Sequence, residues 1–315
     1  MDTDQRLDAL VAPLRADVVS GASVIGKMAA EVLRLAAQDA RAVSLEEFRS
    51  ELGDVCGKVL DAQPAMATLV TLVRDVLTSV EACEDLETGR LAAVLTAEAF
   101  GSGLESRAES VATRASALIP SGATVATISY SSTVLATLTH EGTWAVGQVI
   151  CFESRPMREG ETLATALAEV GVAVTFAVDA AASTLMGECD IVLLGADSIG
   201  DLGVVNKIGS AGLVDAAIRR GVPVMVVSDE TKILPTGFPQ HLTDDRPPEE
   251  VWRAPAGVRV WNQYFESFEL ERVTMVVTES DALTAPEVEK LRKDIVLPTG
   301  LLAWADARAP GPPEV

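Results

Sequence analysis

Polar side chains with chemical capability follow short apolar runs in the second half of the chain. Asp197 comes two residues after the run Ile191–Gly195, and Ser129 and Arg155 follow two earlier runs. A carboxylate can accept or return a proton, and an arginine can grip a phosphate through two parallel hydrogen bonds. These residue types predict a site that binds a phosphorylated molecule, with a carboxylate available for proton transfer.

Some of these polar residues have two interpretations. Ser131 and Ser132 suit the cap of a helix, but the free N–H groups of a first helical turn beside a hydroxyl also form an anion site. Arg155 suits either a surface ion pair or a phosphate ligand. The clusters that end the four apolar runs are Ser129-Tyr130-Ser131-Ser132, Glu153-Ser154-Arg155-Pro156, Asp179 and Gly195-Ala196-Asp197-Ser198-Ile199.

Asp197 is followed by a predicted loop that contains Gly200 and Gly203. A helix-capping residue would stand directly before a helix, so the loop favours a site carboxylate that acts as acid, base or hydroxyl acceptor. Asn206 and Lys207 come next, just before a predicted helix start. An amide, an ammonium and free backbone donors within a few residues suit a phosphate.

These clusters need a scaffold that brings the ends of the apolar runs together. Runs this apolar, separated by helical segments, predict a mostly parallel sheet covered on both faces, in a doubly wound, Rossmann-like α/β domain. Ligands of such sheets lie at the carboxyl ends of the strands. The predicted strands are Thr124–Tyr130, Val146–Phe152, Val172–Val178, Ile191–Gly195, Val222–Ser228 and Val273–Thr278, and the predicted helices between them are Ser132–His140, Glu161–Val170, Ala180–Gly187 and Ala211–Arg220.

The first part of the chain has the three-and-four spacing of apolar residues that is typical of amphipathic helices. Helix starts are predicted at Ser44, with Glu47 completing a capping box, and near Pro64. A longer helix is predicted over Leu91–Leu118, interrupted or bent around Gly101–Gly103. The predicted organisation is a helical domain over residues 1–118, the Rossmann-like domain over 119–303 and a disordered tail over 304–315.

Composition narrows the class of protein. The 315 residues carry a net charge of −21 and are 4% aromatic, which argues against a nucleic-acid surface. The acidity fits a soluble protein or a salty cytoplasm. With an acidic start and no long apolar run, the chain is predicted to be cytoplasmic and without a membrane contact.

The sequence predicts no cofactor and no metal. After the first predicted strand there is neither a Gly-x-Gly-x-x-Gly fingerprint nor a Walker loop. The cysteines are scattered, with two histidines in the chain to join them as ligands, so neither a disulfide framework nor a zinc site is expected. Cys151 and Cys189 lie in or beside apolar runs, where a cysteine usually acts as a small hydrophobe.

Taken in order, the motifs resemble the family of the alpha, beta and delta subunits of eukaryotic translation initiation factor 2B. This family includes methylthioribose-1-phosphate isomerase and ribose-1,5-bisphosphate isomerase. The matching segments are Gly195–Gly209, Glu153–Pro156, Thr127–Ser132, Val178–Ala181, Gly221–Val227 and Asn262–Glu266. The resemblance implies a sugar-phosphate or nucleotide ligand and a homo-oligomer that pairs through its α/β domains.

The resemblance also assigns roles to residues. It makes Gly21 and Ala22 a loop that touches the substrate, adds Tyr130, Glu153, Asn206 and Lys207 to the substrate-binding set, and makes Asp197 the base of the isomerases. Their cysteine acid maps onto Ser129, their histidine onto Ile128, and an arginine of their Arg-Pro-Thr motif onto Gln63. A serine hydroxyl is far harder to ionise than a thiol.

Three hypotheses follow for the function. The departures at Ser129, Ile128 and Gln63 favour a binding or regulatory protein that holds a phosphorylated sugar or nucleotide without isomerase activity. The retained Asp197 supports the alternative, an aldose-phosphate isomerase in which Ser129, Tyr130 or a water replaces the thiol. A partner of a translational GTPase rests on fold analogy alone. The identity of the ligand, the pathway and the oligomer size stay open.

Overall fold

The chain forms two compact units. The computed structural model describes residues 3–17, 21–140, 146–240, 242 and 246–307. A helical unit takes its residues from 1–106, 231–241 and 292–315, and an α/β unit takes its residues from 107–230 and 242–291. Each unit contains more than one segment of the chain. The boundaries predicted from the sequence instead make each domain a single continuous segment.

Helices occur in both units. In the described part of the chain, no helix is both long enough and apolar enough to span a membrane. The helices are α1 Thr3–Ala16, α2 Ala22–Gln38, α3 Leu45–Ala62, α4 Ala67–Glu81, α5 Leu86–Ser116, α6 Ser132–Thr139, α7 Glu159–Glu169, α8 Ala182–Leu185, α9 Ser210–Arg220, α10 Ala285–Asp294 and α11 Thr299–Asp306.

The helical unit is built on the predicted amphipathic pattern. Ile25, Ala29 and Leu33 share one face of α2, and all three are buried in the core of this unit. Ser44 caps α3 by accepting a hydrogen bond from the N–H of Glu47, at 3.2 Å. Glu47 completes the cap one residue earlier than a standard capping box, because its carboxylate accepts from the N–H of Val43 rather than from Ser44.

Two sequence predictions about helices differ from the structure. Helix α5 runs without interruption through Gly101–Gly103. A Cβ at Gly101 would lie 3.2 Å from the Cβ of Ala30, so this glycine serves close packing within the helical unit rather than a break. Helix α11 reaches Asp306, so residues 304–306 of the predicted tail are helical, while residues 308–315 lie outside the described part.

The α/β unit contains the predicted sheet. Its seven strands have the order β10-β9-β7-β4-β1-β2-β3, and each neighbouring pair except β10–β9 is parallel. Strands β4 and β7 are buried throughout, as expected of central strands covered on both faces. The strands are β1 Ala123–Ile128, β2 Val146–Phe152, β3 Val174–Ala177, β4 Ile191–Leu194, β7 Val224–Val227, β9 Met275–Val277 and β10 Ala282–Leu283.

This strand order confirms the doubly wound α/β prediction and locates its switch point. From β1 the chain adds β2 and β3 on one side, then returns to place β4 on the other side of β1. Val125 pairs with Ile191 across this junction. In open sheets of this kind the ligand crevice lies beyond the carboxyl ends of the two strands at such a reversal. Ser129 follows β1 and Asp197 follows β4, so both stand at this position.

A second, antiparallel sheet was not predicted. It consists of β5 Ser198–Gly200, β6 Gly203–Lys207 and β8 Phe265–Phe268, in the order β5-β6-β8. The predicted loop with Gly200 and Gly203 is instead a hairpin in which these two glycines pair. Gly203 has φ +84°, and a Cβ there would come within 2.2 Å of the carbonyl oxygen of Phe268. Gly203 is therefore required because β8 packs too closely for a side chain at this position.

Candidate active site at the carboxyl ends of the strands

Strand β1 ends in an unusual backbone conformation. Ser129, the first residue after β1, has φ +69°, in the left-handed region that residues other than glycine rarely adopt. Its N–H donates a hydrogen bond to Oγ of Ser154, at 2.5 Å. Non-glycine residues held in this region cluster at functional sites. The predicted site residue Ser129 therefore has a rare backbone conformation that is fixed by a hydrogen bond to Ser154.

Strand β2 ends in a second left-handed residue. Ser154 has φ +65° and is fully buried. Its N–H and that of Arg155 donate to the two carboxylate oxygens of Asp179, at 2.7 and 2.8 Å. The guanidinium of Arg155 is exposed and donates one hydrogen bond to the carbonyl of Val251, at 3.0 Å. Glu153 is half-buried beside this loop.

The ends of β1 and β4 approach each other at the switch point. Ser131 is the cap of α6, and its hydroxyl accepts from the N–H of Val134 at 3.3 Å. A Cβ at Gly195 would lie 2.8 Å from this hydroxyl oxygen, so only glycine fits after β4. Tyr130 and Ser132 are exposed next to this contact. Ser131 is therefore a cap, and its hydroxyl also lies against the segment that carries Asp197.

Asp197 links the two sheets. Its N–H donates to the carbonyl of Val205 at 2.8 Å, which places it where the chain passes from β4 to the hairpin of β5 and β6. The residue is half-buried, while Ala196 and Ser198 on either side are buried. A half-buried carboxylate at the switch point is well placed to exchange a proton with a bound molecule.

Asn206 and Lys207 lie on β6, and both are buried. The ammonium of Lys207 is 2.6 Å from a carboxylate oxygen of Glu159 and 4.5 Å from the ring centroid of Tyr264. Asn206 donates from its side-chain amide to the hydroxyl of Ser210, at 3.0 Å. Both side chains are thus held in fixed orientations by neighbours within the α/β unit.

The phosphate prediction for the start of α9 needs correction. The N–H groups of Gly209 and Ala211 both donate to the same carboxylate oxygen of Glu266, at 2.7 and 2.8 Å. These two donors are therefore occupied by a carboxylate of the protein itself. Glu266 lies on β8 directly opposite Asn206. Glu266 was part of a matching sequence motif. Because strand β8 was not predicted, the contact between Glu266 and the start of α9 was not expected.

Three predicted residues belong to the helical unit. Gly21 is the cap of α2, and its carbonyl accepts from the N–H groups of Val24 and Ile25. Ala22 is the first residue of that helix and is buried. Gln63, at the position of the family's arginine, donates to the carbonyls of Leu14 and Asp17, at 2.8 and 2.6 Å. The amide of Gln63 therefore has a structural task.

The α/β unit thus brings most of the predicted residues to its sheet edge. The residues that follow the carboxyl ends of β1, β2 and β4, or lie on β6, are Ser129, Tyr130, Ser131, Ser132, Glu153, Arg155, Asp197, Asn206 and Lys207. Gly21 and Ala22 are in the other unit. Ser154, Asp179, Glu159 and Glu266 hold these residues in place and were assigned no role from the sequence.

Burial keeps the cysteines of the α/β unit from acting as substitutes for a reactive thiol. It raises the pKa of Cys151 to about 12 and that of Cys189 to about 11. A thiol acts as a nucleophile in its ionised form, and it exchanges protons efficiently near neutral pH only if its pKa lies close to that range. In the described residues, no group of three or more histidine, cysteine or acidic side chains could hold a metal ion.

The strand order and the residues at its switch point define the chain as a doubly wound α/β protein with polar side chains at the carboxyl ends of its strands. The model of the Initiation factor 2 subunit family matches residues 18–285, and the chain belongs to that family. The family resemblance drawn from the motifs is therefore confirmed.

Relatives within the family include sugar-phosphate isomerases. A ribose 1,5-bisphosphate isomerase from Haloferax volcanii is 32% identical over 230 residues, which cover 72% of this chain and 70% of that protein. A methylthioribose-1-phosphate isomerase from Pelotomaculum thermopropionicum is 30% identical over 303 residues, covering 88% and 82% of the two chains. The crystal structure of translation initiation factor eIF-2B from Pyrococcus horikoshii superposes with a TM-score of 0.75 at 25% identity, covering 90% and 98%.

Proposed function

We propose that this protein is an aldose-phosphate isomerase of the ribose-1,5-bisphosphate type, with Asp197 as its proton-transfer group. The observation that carries the proposal is the half-buried carboxylate of Asp197 beyond β4 at the switch point, with the left-handed Ser129 beyond the neighbouring strand β1. The curated relatives named as isomerases support it over a protein that binds without turnover.

The chemistry requires groups that move a proton between adjacent carbons. In a sugar 1-phosphate the bond between C1 and the ring oxygen breaks, and that oxygen takes up a proton. A hydrogen leaves C2 and a hydrogen is delivered to C1, while the C2 hydroxyl loses its proton and becomes the ketone, so oxidation at C2 balances reduction at C1. Asp197 would take up and return this proton. Ser129, Tyr130 or a water would act on the sugar oxygen in place of the thiol found in the related isomerases.

Binding of the phosphate would use groups on the same edge. Arg155 is exposed and keeps further guanidinium N–H donors beside the one that binds the carbonyl of Val251. The exposed Ser132 begins α6, where backbone N–H groups favour an anion. Lys207 and Asn206 would orient the sugar, and Glu153 would accept a hydrogen bond from a hydroxyl.

A screen for binding and turnover tests the proposal. The purified protein is incubated with ribose 1,5-bisphosphate, methylthioribose 1-phosphate, ribose 5-phosphate, AMP and GMP, and both melting temperature and product are measured. A ligand that binds the folded state raises the melting temperature by mass action. We expect a rise together with ketose formation for a sugar 1-phosphate. No shift and no product with any of the sugar 1-phosphates would contradict the proposal.

A binding or regulatory protein is the second candidate. The observation that favours it is Ser129 at the position of the isomerase cysteine, because a hydroxyl is a weak acid compared with a thiol. It predicts a thermal shift with a sugar phosphate or nucleotide and no product. The same screen therefore separates the two candidates.

A homo-oligomer that pairs through the α/β units is also part of the proposal, by analogy with the family. Light scattering of the purified protein measures it directly. A mass of one chain at micromolar concentration would contradict this part without affecting the isomerase proposal.

A further inference from the structure

A chain of hydrogen bonds joins the carboxyl ends of three neighbouring strands. Asp179, which follows β3 closely, accepts from the backbone N–H groups of Ser154 and Arg155 through its two carboxylate oxygens. Ser154, which follows β2, in turn accepts from the N–H of Ser129 through its hydroxyl oxygen. The connection therefore runs from β3 through β2 to the proposed catalytic residue beyond β1.

The hydroxyl of Ser154, the middle residue of this chain of hydrogen bonds, both accepts and donates a hydrogen bond. Oγ of Ser154 accepts from Ser129 and donates to the carbonyl of Phe152, at 3.2 Å. Ser154 is 0% exposed, so its hydroxyl is enclosed by the protein. The hydrogen bond from Ser129 is part-buried, and a donor that loses its acceptor in such surroundings bears a desolvation cost. The conformation of Ser129 therefore depends on the hydroxyl of Ser154.

The backbone at both serines would not keep its shape unaided. Ser129 and Ser154 have φ +69° and +65°. The left-handed conformation is unfavourable for a residue with a side chain, and it persists where surrounding bonds determine it. Those bonds come from the carboxylate of Asp179 and the hydroxyl of Ser154.

We infer that Asp179 and Ser154 are positioning residues that hold Ser129 in its left-handed conformation and so set the direction of its hydroxyl toward the substrate. This inference rests on the proposed function, because it gives the pair a task in the isomerase reaction. Asp179 acts through Ser154 and touches no reacting atom. A misplacement of about 1 Å can cost roughly 10²-fold in rate.

The test uses the full chain and three variants. Asp179→Asn replaces one acceptor oxygen by an amide that points its own donors at an N–H group, and Ser154→Ala removes the acceptor for Ser129. Asp190→Asn is the matched control. The carboxylate of Asp190 accepts from the N–H of Thr124 at 2.8 Å, at the opposite end of β1. All variants are first compared by melting temperature.

The first readout is residue-resolved hydrogen exchange, which needs no turnover. We expect the amide of Ser129 to exchange about tenfold faster or more in Asp179→Asn and in Ser154→Ala, and unchanged in Asp190→Asn. An unchanged rate for Ser129 in both site variants would overturn the inference, even if the protein proves to be an active isomerase.

The second readout is the split between kcat and KM for ribose 1,5-bisphosphate. We expect kcat to fall by roughly 10²-fold in both site variants with KM changed by less than about threefold, and both constants to stay unchanged in Asp190→Asn. An unchanged kcat in the site variants would overturn the positioning role. If the native chain turns over no sugar phosphate, the proposed function fails. The exchange rate of the Ser129 amide then still decides whether Asp179 and Ser154 hold Ser129 in its conformation.

Discussion

The two ends of β1 differ in what their backbone bonds accomplish. At the amino end, Thr124 and Asp190 exchange two hydrogen bonds: the carboxylate of Asp190 accepts from Thr124, and the carbonyl of Thr124 accepts from Asp190. Neither residue has a positive φ. At the carboxyl end, Ser129 is left-handed and depends on the hydroxyl of Ser154, which is itself held by Asp179.

The unfavourable left-handed conformations of Ser129 and Ser154 thus lie at the carboxyl ends of the strands. A carboxylate closes the amino end of the strand and adds to stability there. At the carboxyl end the carboxylate of Asp179 maintains the strained backbone of Ser154, which a stable fold alone does not require. Function is therefore expected at the carboxyl ends of the strands, and the substitutions below test how this region differs from the rest of the molecule.

The largest effect is expected at Asp197. Asp197→Asn removes the proton-transfer group but keeps the size of the side chain, so turnover should fall by about 10²- to 10⁴-fold while ligand binding is retained. Asp201→Asn, an exposed carboxylate in the turn between β5 and β6, is the control. Steady-state kinetics and thermal shift measure the two properties. Equal turnover in native protein and Asp197→Asn would refute the assignment.

The next largest effect is expected at the buried ion pair. Lys207→Met removes the buried ammonium, whose side chain is 4% exposed, and leaves the partly exposed carboxylate of Glu159 without its partner. This change should lower the free energy of unfolding by about 1–3 kcal/mol. The matched control is Arg158→Met, which breaks a half-exposed pair with Glu161 and should cost less than about 0.5 kcal/mol. Urea unfolding measures both. Similar losses in the two variants would show that burial of Lys207 carries no special weight.

A smaller gain is expected at Ser129. Ser129→Cys restores the thiol of the related isomerases, whose pKa is much lower than that of a hydroxyl, and should raise kcat by about tenfold. Ser129→Ala should lower it. A drop in kcat for the cysteine variant would indicate that this site has adapted to the hydroxyl. Iodoacetamide treatment should leave the native rate unchanged, because burial raises the pKa of Cys151 and Cys189.

The smallest effect concerns Glu279, two residues beyond β9. Burial raises the pKa of this carboxyl above its ordinary range, and Arg107 is 3.6 Å away. A raised pKa means that the folded state holds the proton more tightly, so its contribution to stability is present at low pH and is lost as the pH rises through the folded pKa. As the pH rises above the ordinary glutamate pKa, the melting temperature of Glu279→Gln should therefore rise relative to that of the native protein. A constant difference between the two would contradict the shift.

The sequence was most informative where chemistry follows a regular pattern. The apolar runs located β2 at its observed bounds and placed Asp197 beyond β4. The predicted first strand, Thr124–Tyr130, included Ser129, whereas the observed β1 ends at Ile128. Apolar runs of this kind mark central parallel strands because both faces are covered. The doubly wound order then followed from alternating strands and helices.

The remaining features depend on contacts between residues far apart in the chain. Strand β5 has three residues, two fewer than a typical strand, and its glycines resemble those of a loop. The partner of α9, Glu266, lies more than fifty residues along the chain from Gly209. The bond between Asp179 and Ser154 likewise joins two separate strand ends. No local pattern in the sequence encodes such pairs.

The role of Asp197 is best tested by following ribose 1,5-bisphosphate with phosphorus NMR in the presence of native protein and of Asp197→Asn. We expect conversion to the ketose bisphosphate by the native protein and almost none by the variant, with both proteins equally folded by circular dichroism. Binding of the sugar phosphate to the native protein without any ketose would contradict it and leave a binding protein in its place.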